Sequence, residues 1–171
     1  MPRFLLPLFA ALAFTACQDT TTAGGTVTLS GERSNGGATG VAFARATGNA
    51  VALTSAQRRA RGLGSVQSDA RLARAAQVQA NWMAKNGVMT HTGPGGTRMA
   101  DRIRATGYKP CFAAENIAFG QPSVNAVMSS WMGSSGHRKN ILHNRATEAA
   151  VASAVDGVGQ TYWVMLLADP C

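Results

Sequence analysis

Four segments of the chain carry apolar residues at the spacing of amphipathic helices. Polar residues that commonly cap helices precede them, and three of them end near a glycine. The predicted caps are Thr54 or Ser55, Ser68, Thr97 and Ser123, and the predicted ends are Gly62, Gly87 and Gly107. The clearest apolar stripes lie on the second and fourth helices: Leu72, Ala76, Gln79 or Ala80, and Met83, then Val124, Val127, Met128 and Trp131.

Three further segments have the pattern of strands: residues 112–119, 147–155 and 162–168. The last of these, YWVMLLA, is apolar on both alternating faces, which is typical of a strand buried on both sides. Helices must therefore cover both faces of the sheet. The pattern predicts an α+β chain folded as a three-layer α-β-α sandwich.

The first segment, residues 1–17, is predicted to be a lipoprotein signal peptide. Arg3 supplies a positive charge, and the eleven apolar residues that follow are too few to span a membrane comfortably. The stretch ends in Phe14-Thr15-Ala16-Cys17, which resembles a bacterial lipobox with Phe14 where Leu is usual. Cys17 would then carry the lipid that anchors the protein to a bacterial membrane. Ordinary cleavage after Ala13, giving a periplasmic or secreted protein, is the alternative.

Residues 18–50 are rich in Thr, Gly, Ser and Asn and show no helical period. This composition is typical of a flexible linker, so the folded domain is expected over residues 51–171.

The chain has 171 residues and a formal net charge of +8, and thirteen of its sixteen basic residues are Arg. Several of them cluster on the first two predicted helices: Arg58, Arg59, Arg61, Arg71 and Arg74. Solvated helix faces are the simplest interpretation, and anionic lipid or wall polymers are the partners that an exported protein would meet. Since no aromatic and basic platform accompanies these charges, nucleic acid is not expected as a partner.

Few side chains could carry chemistry. Glu115 lies in an otherwise apolar strand, so it must face a partner or a cavity, and a hydrogen bond to Arg or to backbone amides would satisfy it equally well. His91 lies in a Gly-rich loop, and His137 begins a short helical turn. If these three residues converge, they form a set suited to Zn²⁺ or a similar divalent metal. His143 has no visible partner and is expected to be exposed.

At this point the sequence resembles the CAP superfamily, which comprises cysteine-rich secretory, antigen 5 and pathogenesis-related 1 proteins. The resemblance covers residues 51–171 and is most specific where ENIA at 115–118 is followed by WMGSSGHRKNIL at 131–142. It implies an α-β-α sandwich with a small central antiparallel sheet and a cleft that holds two His and two acidic residues. His91, Glu115 and His137 match three cleft positions, and Ser134 stands where the family usually has the fourth, an acid.

The resemblance leaves the function open, because the family has no single agreed activity. The favoured hypothesis is a non-enzymatic extracytoplasmic module that binds a small, lipidic, cell-wall or protein ligand in the His/Glu cleft or in a nearby apolar groove. The alternative is a metal-dependent hydrolase or protease that uses His91, Glu115 and His137. No cofactor is required by the first hypothesis.

Three cysteines need an explanation. With Cys17 assigned to lipid, Cys111 and Cys171 remain as an even pair in an oxidising compartment. Cys111 begins the strand that carries Glu115, and Cys171 follows the last strand. If these two strand ends meet, the sequence predicts a disulfide; a buried free thiol at Cys111 with a disordered Cys171 is the alternative.

Overall fold

The computed structural model describes residues 49–171, so the predictions for Cys17, the signal peptide and most of the linker fall outside the described part of the chain. The helices are α1 (49–59), α2 (Ala70–Asn86), α3 (Met99–Ala105), α4 (Val124–Gly133) and α5 (Ser135–Ile141). The strands are β1 (Gln67–Ser68), β2 (Pro110–Phe119), β3 (Glu148–Val155) and β4 (Thr161–Pro170). No helix within 49–171 is both long enough and apolar enough to cross a bilayer.

The four strands form one sheet in the order β1-β3-β4-β2. β4 pairs antiparallel with both β2 and β3, which confirms the antiparallel sheet for the three long strands. The two-residue β1, which the sequence pattern did not reveal, pairs parallel with the start of β3. The sheet is therefore mixed, with a short parallel edge on one side and β2 as the other edge.

Both faces of β4 are buried, as its continuous apolar pattern predicts. Its even-numbered residues from Tyr162 to Ala168 pack with α2 and α3, and its odd-numbered residues from Trp163 to Leu167 pack with α1, α4 and α5. The α-β-α sandwich is thus confirmed, with α2 and α3 in one layer and the other three helices in the second.

The helix ends differ from the predictions in three places. Asp69, not Ser68, caps α2, because its carboxylate accepts the amides of Arg71 and Leu72 at 2.7 and 3.0 Å. Thr54 and Ser55 lie inside α1, and both hydroxyls bond to backbone within the core. Arg98, not the predicted Thr97, is the cap residue of α3. The helix begins at Met99, and the Arg98 amide donates to the Asp101 carboxylate. The predicted cap at Ser123 and the glycine end at Gly87, where φ is +63°, are confirmed.

Side chains cover the outer edge of β2. The amide of Gly120 donates to β4, so along β2 the even-numbered residues direct their backbone groups towards β4 and the odd-numbered residues direct theirs outwards. The outward carbonyls at positions 111, 115 and 117 accept hydrogen bonds from Arg145, Asn140 and Trp131 at 2.9, 3.4 and 3.2 Å. Side chains that follow β2 in the chain therefore occupy three outward carbonyls of this edge.

The predicted disulfide between Cys111 and Cys171 is confirmed. Pro110 at the start of β2 is paired with Pro170 at the end of β4, and this brings the two Cα atoms to 4.8 Å. That separation lies inside the range that disulfides require. The bond joins the C-terminal residue to the strand that carries Glu115.

Candidate functional site

Glu115 and Asn116 are neighbours on β2 that point to opposite faces of the sheet. Both are buried, with side chains that face different helical layers. Glu115 points towards α3 and the loop after α2, whereas Asn116 points towards α5. The candidate site therefore lies at the β2 edge, where the two layers approach each other around the strand.

The Glu115 carboxylate is bonded at both oxygens. Its Oε1 lies 2.7 Å from His91 Nδ1, and its Oε2 accepts a hydrogen bond of 2.6 Å from Arg102 Nη2. Glu115 and Arg102 have side chains that are only 3% and 4% exposed, whereas the His91 side chain is 60% exposed. A buried ion pair thus supports an imidazole that solvent reaches. The sequence allowed an Arg as a purely structural, hydrogen-bonded partner of Glu115. That partner is Arg102, and the same carboxylate is also bonded to His91.

Two buried side chains, one on α2 and one on α3, hold the loop that carries His91 through hydrogen bonds to its backbone. Gln79 on α2 is fully buried and donates through Nε2 to the carbonyls of Thr90 and Thr92 at 2.6 and 3.4 Å. Arg102 on α3 donates through Nη1 to the carbonyls of His91 and Thr97 at 3.2 and 2.9 Å. These four bonds fix the loop on both sides of His91.

His137 is placed by a pair of asparagines. Asn116 Nδ2 donates to the His137 carbonyl at 3.1 Å, and Asn140 Nδ2 donates to Asn116 Oδ1 at 2.8 Å. The half-buried imidazole makes no hydrogen bond within residues 49–171. Burial lowers the pKa of His137, and the charge of the neighbouring His91 lowers it further. At neutral pH the ring is therefore uncharged.

Ser134 lies where α4 gives way to α5. Its backbone is extended, with φ −91° and ψ 125°, and its amide donates to the carbonyls of Ser130 and Trp131 at 3.2 Å each. The Ser134 hydroxyl makes no hydrogen bond to His91, Glu115 or any other residue in the described range. Its role at the rim of the cleft stays a prediction.

The predicted three-residue metal set does not fit this arrangement. Within residues 49–171, no group of three or more His, Cys, Asp or Glu side chains is placed so that it could hold a metal ion. The physical reason lies in Glu115, because its two oxygens face Arg102 and His91 and the guanidinium already balances its charge. His91 in turn uses Nδ1 on the carboxylate, which leaves only its outer nitrogen for a ligand.

Two predictions about basic residues and histidine are wrong. His143 is not freely exposed, because its ring stacks on Phe112 with 4.0 Å between centroids and its Nδ1 accepts from the Arg145 amide. Arg58 is not part of a solvated face, because it is 1% exposed and donates to four backbone carbonyls, those of Gly64, Ile141, His143 and Ala146.

Sequence reasoning missed five residues that hold the cleft together. They are Gln79, Gly93, Arg102, Asn116 and Asn140. Two signals were available: Gln79 lies in the apolar stripe of α2, and Asn116 is a second polar residue in the apolar strand of Glu115. A buried polar residue at such a position requires a partner.

An apolar groove runs beside the network, between α2 and α3. Its volume is about 430 Å³, and its walls include Val78, Pro94, Thr97, Arg102 and Ala105. Three of these residues also belong to the His91 loop or support it. A second groove of about 460 Å³, between α1 and the start of α4, contains none of the cleft residues.

Comparison with known proteins agrees with this fold. The family model described as "Cysteine-rich secretory protein family", or CAP, matches residues 51–167. The chain is 35% identical over 107 residues to the uncharacterized protein YkwD of Bacillus subtilis, which is 63% of this chain and 42% of that protein. The chain thus spans less than half the length of that relative.

Solved structures show the same fold. An extracellular protein containing an SCP domain from Bacillus anthracis superposes with a TM-score of 0.66 at 23% identity, over 74% of this chain and 41% of that one. An outer surface protein from Borrelia burgdorferi gives 0.65 at 20% identity, over 71% of this chain and 90% of that one. Because the family model covers well over half of the sequence, the chain belongs to the cysteine-rich secretory protein (CAP) family.

Proposed function

We propose that the protein is a non-enzymatic extracytoplasmic binding module whose ligand site is the cleft of His91, Glu115 and His137. One observation carries the proposal: a 60% exposed imidazole is held rigidly by a buried carboxylate, so a solvent-facing group is fixed in place at a structural cost. The half-buried, uncharged His137 beside it adds a second ring that no internal hydrogen bond occupies. Fixed polar groups at a concave edge are typical of small-ligand sites.

The adjacent groove supports a ligand with an apolar part. Its surface is largely apolar although Arg74, Asp101 and Arg102 are among its lining residues. Val78 is 46% exposed on one side, and the groove shares Pro94, Thr97 and Arg102 with the cleft network. A volume of about 430 Å³ lies within the range of small-molecule sites. A small lipidic ligand would place its polar group at His91 and its chain against α2 and α3.

The extracytoplasmic location has three supports. The predicted lipobox ends at Cys17, the segment 18–50 has the composition of a tether, and the Cys111–Cys171 disulfide suits an oxidising compartment. Two of the structurally similar proteins are named as extracellular or outer surface proteins.

Intact mass of the membrane-extracted protein is expected to show loss of residues 1–16 and gain of acyl chains on Cys17. A soluble form that begins at Phe14 would contradict lipid anchoring.

The binding proposal is tested on protein isolated from its own cell envelope. Native mass spectrometry is expected to detect a small molecule that remains bound to the wild-type chain and is lost in His91→Ala. Thr92→Ala is the matched control, because Thr92 is exposed in the same loop and its side chain makes no hydrogen bond to Glu115. Equal retention of the molecule in His91→Ala and Thr92→Ala would contradict a site at His91.

A metal-dependent hydrolase that uses His91, Glu115 and His137 is the second candidate. The observation in its favour is the bond from His91 to a carboxylate, which is how proteins orient a histidine that acts as a base or a metal ligand. Against it, both oxygens of Glu115 are already bonded within the protein. Stoichiometric Zn²⁺ in the purified chain, lost in His91→Ala together with peptidase or esterase activity, would favour this candidate over the binding module.

A further inference from the structure

The buried side chain of Arg102 connects strand β2 to the loop that carries His91. Arg102 donates to Glu115 on β2 through Nη2, and to the carbonyls of His91 and Thr97 in the loop through Nη1. Only the planar fork of arginine has donors spaced to reach a carboxylate and two carbonyls at once. The position of the His91 ring relative to Glu115 therefore depends on Arg102.

The loop is packed so closely onto this network that a side chain at residue 93 would displace its neighbours. A Cβ atom there would lie 2.5 Å from Gln79 Oε1 and 2.8 Å from Arg102 Nη1. Gly93 has an ordinary φ of −103°, so glycine is favoured here by space and not by backbone conformation. The close approach keeps the His91 and Thr97 carbonyls within reach of the guanidinium.

The hydrogen-bond chemistry decides which nitrogen of His91 faces solvent. The Glu115 carboxylate, paired with a buried guanidinium, is an acceptor only, so the proton between Oε1 and Nδ1 belongs to the imidazole. In the neutral ring, Nε2 then carries a lone pair and no proton. The exposed face of His91 therefore presents a hydrogen-bond acceptor.

We infer that Arg102 is a positioning residue that fixes the Nδ1–H tautomer of His91 through Glu115, and that the cleft consequently selects ligands that donate hydrogen bonds. Hydroxyl and ammonium groups fit this description, whereas an ionised carboxylate or a sulfate ion has no proton to donate to Nε2. The ligand class rests on the proposed function, but the tautomer does not.

The tautomer is measured by NMR on the full chain labelled with ¹⁵N-histidine at pH 7.5. The wild-type chain is expected to show a protonated Nδ1 and a bare Nε2 at His91. Glu115→Gln is expected to reverse this, because the amide oxygen must face the Arg102 donor and the amide NH₂ then faces His91. Nδ1 becomes the acceptor and the proton moves to Nε2. A bare Nδ1 in the wild-type chain, or an unchanged tautomer in Glu115→Gln, would overturn the inference.

Substitutions of Arg102 test the positioning role directly. Arg102→Lys is expected to show both tautomers, since a single ammonium group cannot hold the carboxylate and both loop carbonyls. Arg104→Lys on the same helix is the matched control, because Arg104 is exposed and its guanidinium lies 3.9 Å from the Asp101 carboxylate. A single Nδ1–H tautomer in Arg102→Lys would show that Arg102 does not set it. If Arg102→Lys does not fold, Glu115→Gln decides the question.

The ligand class is tested by titrating the wild-type chain with glucosamine, glucose, acetate and inorganic sulfate. The two hydroxyl-bearing probes are expected to shift the His91 Nε2 signal at concentrations about tenfold lower than the anions require. A tenfold difference in affinity corresponds to the free energy of about one hydrogen bond. Glu115→Gln is expected to reverse the order. Anions that bind the wild-type chain as well as glucosamine would overturn the ligand class. No binding of any probe, with the Nδ1–H tautomer present, would count against the proposed binding function and leave the role of Arg102 standing.

Discussion

Among residues 49–171, each helical layer of the sandwich contains one buried arginine, and the two make different kinds of hydrogen bond. Arg58 on α1 donates only to backbone carbonyls, those of Gly64, Ile141, His143 and Ala146, at 2.7 to 2.9 Å. Arg102 on α3 donates to two carbonyls and to the carboxylate of Glu115. Both guanidinium groups are surrounded by acceptors, but only Arg102 has an acidic partner.

This difference separates a structural network from one that reaches the cleft. Three of the acceptors of Arg58, the carbonyls of Ile141, His143 and Ala146, lie at or just after the C-terminal end of α5, where carbonyls without a partner inside the helix carry partial negative charge. They join α1 to the connection between α5 and β3 and touch no titratable side chain. The acceptor of Arg102 is shared with His91, so a change in its charge or shape is transmitted to a residue that solvent reaches.

The largest expected effect comes from removing the donor in the first network. Arg58→Met removes the donor from four backbone carbonyls, and of these the His143 carbonyl keeps a hydrogen bond from the Ala146 amide. The substitution is expected to lower the free energy of unfolding by about 3–5 kcal/mol. Urea denaturation measures this loss, and the ¹⁵N signals of His91 in the folded fraction are expected to stay unchanged. A shift of those signals equal to that in Arg102→Lys would show that the two networks are not separate.

Removal of the disulfide is expected to cost somewhat less. The bond between Cys111 and Cys171 spans a sequence separation of 60, so its loss removes up to about 4 kcal/mol of loop-closure stabilisation. Urea denaturation of the double Ser variant, compared with the oxidised and the reduced wild-type chain, measures it. Since Glu115 is bonded further along β2, the His91 tautomer is expected to remain. An unchanged stability after reduction would contradict the stabilising role.

A matched pair of glycine substitutions compares the space around the two arginines. Gly93→Ala is expected to lower the free energy of unfolding by about 1–3 kcal/mol, because its Cβ would overlap Gln79 and Arg102. Gly64, whose carbonyl accepts from Arg58, has no atom within 4 Å of such a Cβ, so Gly64→Ala is expected to change stability by less than about 0.5 kcal/mol. Equal losses in the two variants would contradict the close packing at Gly93.

The smallest expected effect is a pH dependence that arises at His137. Its pKa is lowered in the folded state, so below the ordinary pKa of histidine the unfolded chain binds a proton that the folded chain does not. Stability is therefore expected to fall as pH decreases from neutral through this range and to level off below the folded pKa. Denaturation midpoints of the wild-type chain and His137→Asn between pH 7.5 and 5 test this, and the variant is expected to show the shallower dependence. Parallel curves would contradict it.

Much of the fold could be predicted because the local signals were strong. The double-sided apolar pattern of 162–168 identified the central strand, and the Ser123 cap and the Gly87 end identified two helix boundaries. The N-terminal cap of α2 was misassigned, because Ser68, next to the observed cap Asp69, is an equally good cap by residue type. The two-residue β1 has no period from which it could be recognised.

The site was predictable only in part, since it depends on contacts between distant segments. The isolated carboxylate at 115 required a partner, and that requirement indicated a cleft without naming Arg102. Thirteen arginines gave too many candidates, and nothing in the sequence distinguished the buried Arg58 from its exposed neighbour Arg59. Which arginine faces a carboxylate is decided by the packing of α3 on β2, which has no sequence signature of its own.

The covered edge of β2 also limits how a polypeptide partner could be recognised. Many domains bind peptides by strand addition, in which the peptide extends a sheet through main-chain hydrogen bonds at an open edge. Here Arg145, Asn140 and Trp131 already occupy outward carbonyls along β2, and a peptide would have to displace them. A protein ligand is therefore expected to bind through its side chains at the exposed imidazole of His91. Main-chain hydrogen bonding of such a ligand to β2 is disfavoured.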